Sequence, residues 1–142
     1  MKLQLQIKMN EALFLRNPES SELGKNILKH SVQLIYKMGF EVFTFPGQSE
    51  SDVYAEYLYK EVKKAYPNWV FRSDITDGDH DKEERFYVLT KTLMPSVLSE
   101  NGFFTNFQDA KMMFDPSFQN TIAKCHARAI IDYAESMGVV MF

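Results

Sequence analysis

The chain has one cysteine, no long apolar run and no excess of positive charge, and each absence excludes a class of protein. The single Cys125 excludes an internal disulfide and a metal site built from several cysteines. No run is long enough to span a membrane, and residues 1–10 alternate apolar and polar side chains, unlike a secretory signal. We therefore expect a cytoplasmic chain with no membrane partner. The net charge of -3 gives no electrostatic reason to expect nucleic acid as a partner.

Internal repeats, low-complexity tracts and phosphate-binding glycine loops are also missing. What is present is the ordinary composition of a globular domain, with 45% hydrophobic and 25% charged residues. A chain of 142 residues most simply forms one domain, and it is long enough to bury a sizeable core.

Strand-like and helix-like segments alternate along the chain, which predicts an α/β fold with a partial mixed sheet flanked by helices. Glu41–Phe45 is rich in β-branched and aromatic residues and stops at the turn that begins with Pro46, as a strand does. Residues 3–9 fit either a strand or a helix. The remaining elements are predicted as strands at 86–89 and 96–99, a shorter candidate strand at 69–71, and helices near 21–38, 51–66, 107–114 and 116–137.

Two of these helices have an apolar stripe that should face the core. The helix near 116–137 begins with Asp115 as its cap and Pro116 at its first helical position. Cys125 lies on its stripe, so we expect a packed side chain rather than a nucleophile. The two stripes consist of Phe118, Ile122, Cys125, Ala129, Tyr133 and Met137 in this helix, and Val53, Tyr57, Leu58, Val62 and Ala65 in helix 51–66.

The most polar segment is Asp74–Arg85, whose acidic residues invite comparison with a metal loop. A calcium loop needs oxygen ligands at fixed spacing, a glycine and a final bidentate glutamate, and Asp77–Lys82 does not have that spacing. His80 has no neighbouring histidine or cysteine with which to bind zinc. We therefore expect a solvated acidic loop.

The stretch Met94–Asn106 places a carboxylate at the end of a short, central strand. Pro95 suits the first residue of a strand, and Gly102 permits a backbone conformation that other residues avoid. In open α/β sheets, groups just beyond the carboxyl ends of strands point into the ligand crevice. Glu100 is therefore a candidate general base, and the alternative is an exposed residue at the end of a strand.

The same stretch carries a resemblance to a known family. Pro95–Asn106 resembles the pattern P-A-V-L-(V/T)-E-x-G-F-(L/F)-(S/T)-N near the C-terminus of zinc-dependent N-acetylmuramoyl-L-alanine amidases. These enzymes hydrolyse the amide between N-acetylmuramic acid and L-alanine in peptidoglycan. The similarity covers about residues 39–137 and includes Gly39–Gln48 and Thr76–Glu83.

The resemblance implies a fold, a base and a partner. It implies that this part of the chain forms the C-terminal half of the amidase α/β fold and that Glu100 is catalytic. It also places the acidic segment beside the mouth of the active site, where His80 and Lys82 would contact substrate. Peptidoglycan or a muropeptide is the partner that it implies.

The zinc ligands of the family resembled are two histidines and a glutamate that lie before the segment matching Gly39–Gln48. We find no histidine-containing glycine loop there, and His30 lies in a helical pattern. We therefore assign no metal ligand and expect no zinc in this chain alone. Two interpretations stay open: an incomplete amidase, or a non-catalytic chimeric fragment or interaction scaffold that is able to self-associate.

Residues 13–45 resemble a different family, the opening of a Tet-repressor-type regulator. That DNA-binding domain needs a helix-turn-helix next, and Pro46–Ser49 and amidase-like sequence follow instead, so DNA binding is not implied. We therefore divide the chain into a regulator-like helical segment, 1–38, and an amidase-like part, 39–142. The two similarities overlap near residues 39–45, which suggests a chimera joined there.

Overall fold

The protein is described by a computed structural model over residues 37–139. His30 lies outside the described residues, as do the predicted helix near 21–38 and the regulator-like segment 1–38 except for Lys37 and Met38. The proposed division at residue 38 therefore stays a prediction. Within the described range, no helix combines the length and the apolar character that crossing a membrane requires.

Residues 37–139 form a small mixed sheet and helices, which confirms the predicted α/β class. The predicted strand at 41–45 and the helices at 51–66, 107–114 and 116–137 are all found with small shifts at their ends. In chain order the elements are β1 Phe40–Thr44, α1 Glu50–Ala65, β2 Lys82–Glu83, α2 Tyr87–Lys91, β3 Leu98–Asn101, α3 Phe107–Met113 and α4 Pro116–Ser136.

The three strands are ordered β2-β1-β3, so β1 lies in the middle. It runs parallel to β2, with Phe43 beside Lys82, and antiparallel to β3, with Glu41 opposite Glu100. The strand predicted at Ser96–Ser99 thus begins two residues later. The prediction that this strand is central is wrong for the described sheet. After β3 the chain continues into α3 and α4, so none of residues 102–139 pairs with its outer edge.

The strand predicted at Phe86–Leu89 is wrong, because these residues enter the short helix α2. The backbone N–H and the hydroxyl of Thr90 both donate to the carbonyl of Phe86, at 2.9 and 2.8 Å. Leu89 is buried, whereas Tyr87 and Val88 are exposed. A strand in a packed sheet buries alternate side chains. Only one side chain of this segment is buried, so the β propensity of its residues does not decide its conformation.

The strand β2 was not predicted, because Lys82 and Glu83 belong to the polar segment. Backbone pairing with β1 holds it, and the N–H of Glu84 donates to the carbonyl of Thr44 at 3.0 Å. The candidate strand at 69–71 is reduced to a single parallel bridge between Phe40 and Phe71.

The core lies between one face of the sheet and the two long helices, α1 and α4. Phe40 and Val42 of β1 pack there against both helices. The predicted stripe of α4 is confirmed for Phe118, Ile122, Cys125 and Ala129, whereas Tyr133 is half-buried and Met137 is exposed. In α1, Leu58, Val62 and Ala55 are buried, and the prediction is wrong for Val53 and Ala65, which are exposed.

Both long helices begin at polar caps. The side chain of Ser49 accepts from the N–H of Ser51 at 3.1 Å, and the carboxylate of Asp52 accepts from the N–H of Ser49. These reciprocal bonds form a capping box. In α4, Asp115 accepts from the N–H of Ser117 at 2.9 Å, as its position predicted. Asp52 is thereby fixed at the first turn of α1.

The Asp109 carboxylate ties three distant parts of the chain together, although it is 1% exposed. One oxygen accepts from the N–H of Gly39 at 2.7 Å and of Phe103 at 3.1 Å, and the other accepts from the Trp69 indole at 3.1 Å. Gly39 has φ +102°, and a Cβ there would lie 2.1 Å from the carbonyl oxygen of Val70. Only glycine fits this close approach.

Replacing Ile122 by alanine should lower the free energy of unfolding by about 2–5 kcal/mol, because it leaves a cavity in the core between α1 and α4. Ile130→Ala on the same helix is the matched control, since Ile130 is 49% exposed and its loss should cost less than about 0.5 kcal/mol. Urea unfolding followed by circular dichroism measures both. Equal losses would contradict the assigned packing face of α4.

Candidate active site

Glu100 lies on the face of the sheet that points away from α1 and α4. Residues directly opposite each other on antiparallel strands place their side chains on the same face, so Glu100 shares a face with Glu41. Phe40 and Val42 pack on the helices, and alternation along β1 turns Glu41 to the other side. We call this other side the Glu41 face, and its residues are Glu41, Phe43, Lys82, Leu98 and Glu100.

Contacts of the strand that carries Glu100 and of the turn after it fix the backbone at this residue. Pairing with β1 holds the strand, and the N–H of Phe103 donates to the Asp109 carboxylate in the turn that follows. Gly102 between them has φ +106°, and a Cβ there would lie 3.3 Å from the Cβ of Asp109. Glu100 itself is half-buried and not part of the apolar core, so its carboxylate is held on a constrained backbone with access to solvent.

A buried ion pair network lies one strand away from Glu100. Glu41 is 2% exposed, and one of its oxygens accepts from Lys82 Nζ at 2.8 Å and from Arg72 Nε. Burial acts to raise the pKa of Glu41, but the hydrogen bonds and charges of Lys82 and Arg72 outweigh burial and hold this pKa below its ordinary value. The side chains of Glu41, Lys82 and Arg72 together carry one net positive charge.

The two residues expected to contact substrate lie in different places. Lys82 is on the Glu41 face, on the strand at the other edge of the sheet from Glu100, and its Nζ contacts Glu41. His80 instead contacts α1, where Nδ1 lies 2.8 Å from a carboxylate oxygen of Glu56 and the ring stacks on Tyr59 at 4.0 Å and 19°. The fold therefore places Lys82 on the same face of the sheet as Glu100 and does not place His80 there.

The segment expected to be a solvated acidic loop is exposed at most of its residues, and the expectation is wrong for Asp81, which is buried. Asp81 is 3% exposed, and its carboxylate lies 2.5 Å from the hydroxyl of Thr44. The same hydroxyl lies 3.0 Å from the carboxylate of Asp52 in α1. Pairing of β2 with β1 draws Asp81 under Thr44. Carboxylate oxygens of Asp52, Asp79 and Asp81 lie within 4.8 Å of one another, and we call these three residues the acidic group.

Three ionised carboxylates in the acidic group would repel one another. Burial is the largest cause that raises the pKa of Asp81, to about 7, and the neighbouring carboxylates of Asp79 and Asp52 add to it. The hydrogen bond from Thr44 opposes this rise. Like charges so close together favour either protonation or a bound cation.

The described residues do not fit the zinc that the resemblance implies. In residues 37–139, the group with suitable spacing for an ion is the acidic group, and it contains neither histidine nor cysteine, the ligands that zinc favours. His126 has Nε2 at 3.3 Å from the Ser99 hydroxyl, away from His80. The acidic group also lies on the helix side of the sheet, whereas Glu100 lies on the Glu41 face.

Several residues that shape the site were not found from the sequence. The ion pair partners Glu41 and Arg72 are 31 positions apart, and Asp109 lies 70 positions from Gly39. Asp52 was a detectable case, because its place three residues after Ser49 fits a capping box. The other partnerships have no local sequence signal.

Replacing Glu41 by glutamine should make the free energy of unfolding depend less on pH in the acidic range. The native pKa of Glu41 is below its ordinary value of 4.5, so its ionised form adds stability that is present above that value and is lost as pH falls through the native pKa. The variant should be less stable than the parent at pH 7, and the difference should shrink below pH 4.5.

Urea unfolding over a pH series measures this difference. Glu84→Gln, at an exposed site, is the control and should follow the parent curve at every pH. A Glu41→Gln deficit that stays constant down to the lowest pH would show that the ion pair network does not lower the pKa of Glu41.

Comparison with known proteins places this geometry in a family. Residues 33–132 match the family described as N-acetylmuramoyl-L-alanine amidase. The N-acetylmuramoyl-L-alanine amidase CwlM of Bacillus licheniformis is 32% identical over 93 residues, which are 65% of this chain and 34% of that protein. The chain therefore spans about a third of the length of this relative.

Solved structures of amidases are also similar to this chain. The amidase AmiC2 of Nostoc punctiforme aligns with a TM-score of 0.59 and 28% identity over 69% of this chain and 49% of that one. An amidase of Clostridium difficile 630 aligns with a TM-score of 0.61 and 21% identity over 70% and 50%, which shows the fold alone. The family match covers every strand of the described sheet and Glu100. The chain belongs to the N-acetylmuramoyl-L-alanine amidase family.

Proposed function

We propose that this chain contributes the general-base part of a peptidoglycan amidase site, which hydrolyses the amide between N-acetylmuramic acid and L-alanine. The observation that carries the proposal is the position of Glu100. It is half-buried on the Glu41 face, within the segment that matches the family, on a backbone fixed by β1 and by Asp109.

The proposed reaction, hydrolysis of an amide, requires a carboxylate that is both held in place and accessible to solvent. Amide hydrolysis needs a base that takes a proton from the attacking water and delivers it to the leaving amine. A carboxylate can do this if it reaches solvent and is held in place, and Glu100 meets both conditions. Lys82, on the same face of the sheet, is the substrate contact that we propose. For His80, packed against α1, the geometry offers no such support, and its contact with substrate remains a prediction from the resemblance.

The described residues supply no zinc site, so the ligands must come from outside residues 37–139 if the reaction is to run as in the zinc-dependent members of the family. We propose that this chain, purified alone, does not retain zinc. The regulator-like character of residues 1–38 and the chimeric junction near 39–45 stay hypotheses from sequence.

The second candidate function is a non-catalytic interaction scaffold. Large apolar side chains around the segment that carries Glu100 are strongly exposed, and they include Leu93, Met94, Phe104 and Phe107. Exposed apolar side chains of this size are suited to contacts with another chain, including self-association.

Purified without a metal-binding tag and dialysed, the chain should hold well under one zinc per molecule, because its described residues offer no zinc-type ligand cluster. Elemental analysis by mass spectrometry measures this. Stoichiometric zinc that survives dialysis, with His30, His80 or His126 among its ligands, would contradict the expectation.

Glu100→Gln should abolish any muropeptide hydrolysis that the parent shows and leave folding nearly intact, because it keeps the shape of the side chain and removes the proposed base. The assay uses the full chain with excess zinc and a substrate that carries the muramoyl-L-alanine amide, with released L-alanine peptide detected by chromatography. Glu135→Gln, an exposed glutamate of α4, is the control and should retain the parent rate.

The outcomes separate the two candidates. A Glu100→Gln protein that hydrolyses at the parent rate would show that Glu100 is not the base. A parent without activity in excess zinc would contradict catalysis by this chain alone and favour the scaffold, and Glu100→Gln should then be almost neutral for stability. A variant that fails to fold would show that Glu100 has a structural partner.

A further inference from the structure

The acidic group combines buried negative charge with a lack of neutralising partners. Asp52 is 5% exposed and Asp81 is 3% exposed, yet among the described residues no lysine or arginine pairs with Asp52, Asp79 or Asp81. The nearby lysines are engaged elsewhere, Lys60 with Glu56 and Lys82 with Glu41 on the opposite face. A buried carboxylate without a cation or enough hydrogen bonds is costly.

Two oxygens of the group accept no hydrogen bond from an N–H or O–H donor of residues 37–139. They are Oδ1 of Asp81 and Oδ1 of Asp79, both inaccessible to solvent, and these two side chains are close enough to share a proton. The other oxygen of each is used, by the Thr44 hydroxyl for Asp81 and by the Gln48 amide at 3.2 Å for Asp79. The Thr44 hydroxyl carries one proton, which cannot satisfy Asp52 and Asp81 at the same time. The group therefore lacks a positive centre.

We propose that Asp52, Asp79 and Asp81 bind a hard divalent cation, Ca²⁺ or Mg²⁺, at a site separate from the amidase chemistry. Carboxylate oxygens are the ligands these ions prefer, and oxygens on one Ca²⁺ at 2.3–2.6 Å can lie up to about 5 Å apart. The spacing within 4.8 Å fits this limit. The oxygens without hydrogen bonds on Asp79 and Asp81 are the natural ligand atoms.

The site has an approach from solvent and a structural role. An open cavity of about 360 Å³ beside it is lined in part by Gln48, Asp52, Glu56, Asp77 and Asp79. A cation reaching the group through this cavity would join the first turn of α1 to the segment that leads into β2. The expected consequence is a more stable protein, since a ligand that binds the folded chain stabilises it.

The test is thermal unfolding of the full chain at pH 8, freed of metal with a chelator and then given millimolar Ca²⁺ or Mg²⁺. At least one of the two ions should raise Tm by about 4 °C or more. Calorimetric titration with the same ion should show one site per chain. No rise in Tm with either ion would overturn the proposal and mean that a proton alone holds the three carboxylates together.

Asp81→Asn makes the test specific. It keeps the shape of the side chain, removes an uncompensated buried charge and removes the charged ligand. The metal-free variant should therefore melt at or above the metal-free parent, and its affinity for the cation should fall at least tenfold. Asp74→Asn, at an exposed aspartate of the same segment that does not line the cavity beside the acidic group, is the matched control and should keep the parent response.

These results separate a built site from general attraction to an acidic surface. An Asp81→Asn protein that responds to the cation as the parent does would overturn the proposal, and so would an Asp74→Asn protein that loses the response equally. Because the readouts are Tm and affinity, the result does not depend on whether the chain is an active amidase.

Discussion

The carboxylate of Asp109 is the contact on which the rest of the described fold depends. It accepts hydrogen bonds from Gly39 at the entry to β1, from Trp69 after α1 and from Phe103 in the turn after β3. A buried donor left without an acceptor costs about 1–3 kcal/mol, so the three donors together hold these segments firmly around one side chain. The bond to Phe103 acts directly on the backbone three residues after Glu100. The position of the Glu100 backbone thus depends on a buried contact on the other side of the turn.

The side chains of β1 point alternately to the two faces of the sheet, and the two faces carry different polar groups. In β1, Glu41 points to the side that carries Glu100 and Lys82, whereas Thr44 points to the acidic group. A slip of β1 by one residue would exchange the two sets, because side chains alternate with a period of two. The close approach of Gly39 to Val70 and the polar contacts at both ends of the strand prevent such a slip. The fold therefore keeps Glu100 and the acidic group on opposite sides of a sheet that is only three strands wide in its described part.

Local physical signals account for what could be predicted. The helices α1 and α4 combine apolar stripes with caps at Ser49 and Asp115, and both were found with small errors at their ends. The segment Phe86–Leu89 has strand-like composition, but only Leu89 reaches the core, and it forms a helix. The strand β2 is polar and exists only because β1 pairs with it. The acidic group was missed for a similar reason, since Asp52 lies 27 or more positions before its two partners. Glu100 was found through the resemblance of its segment, whereas its pairing with Glu41 has no local signal.

Membership of the amidase family and possession of a complete active site are physically separable in this chain. The family match spans residues 33–132, which include β1 and β3, and the contacts described for the backbone around Glu100 lie between Gly39 and Asp109. The backbone at Glu100 is therefore held in place without a contribution from zinc ligands. The donors that the described residues do bring together are hard carboxylate oxygens on the helix side, suited to a different ion from the one that amide hydrolysis in this family uses. A metal bound at the acidic group would stabilise the scaffold behind β1 without entering the reaction, because the sheet itself lies between that group and Glu100.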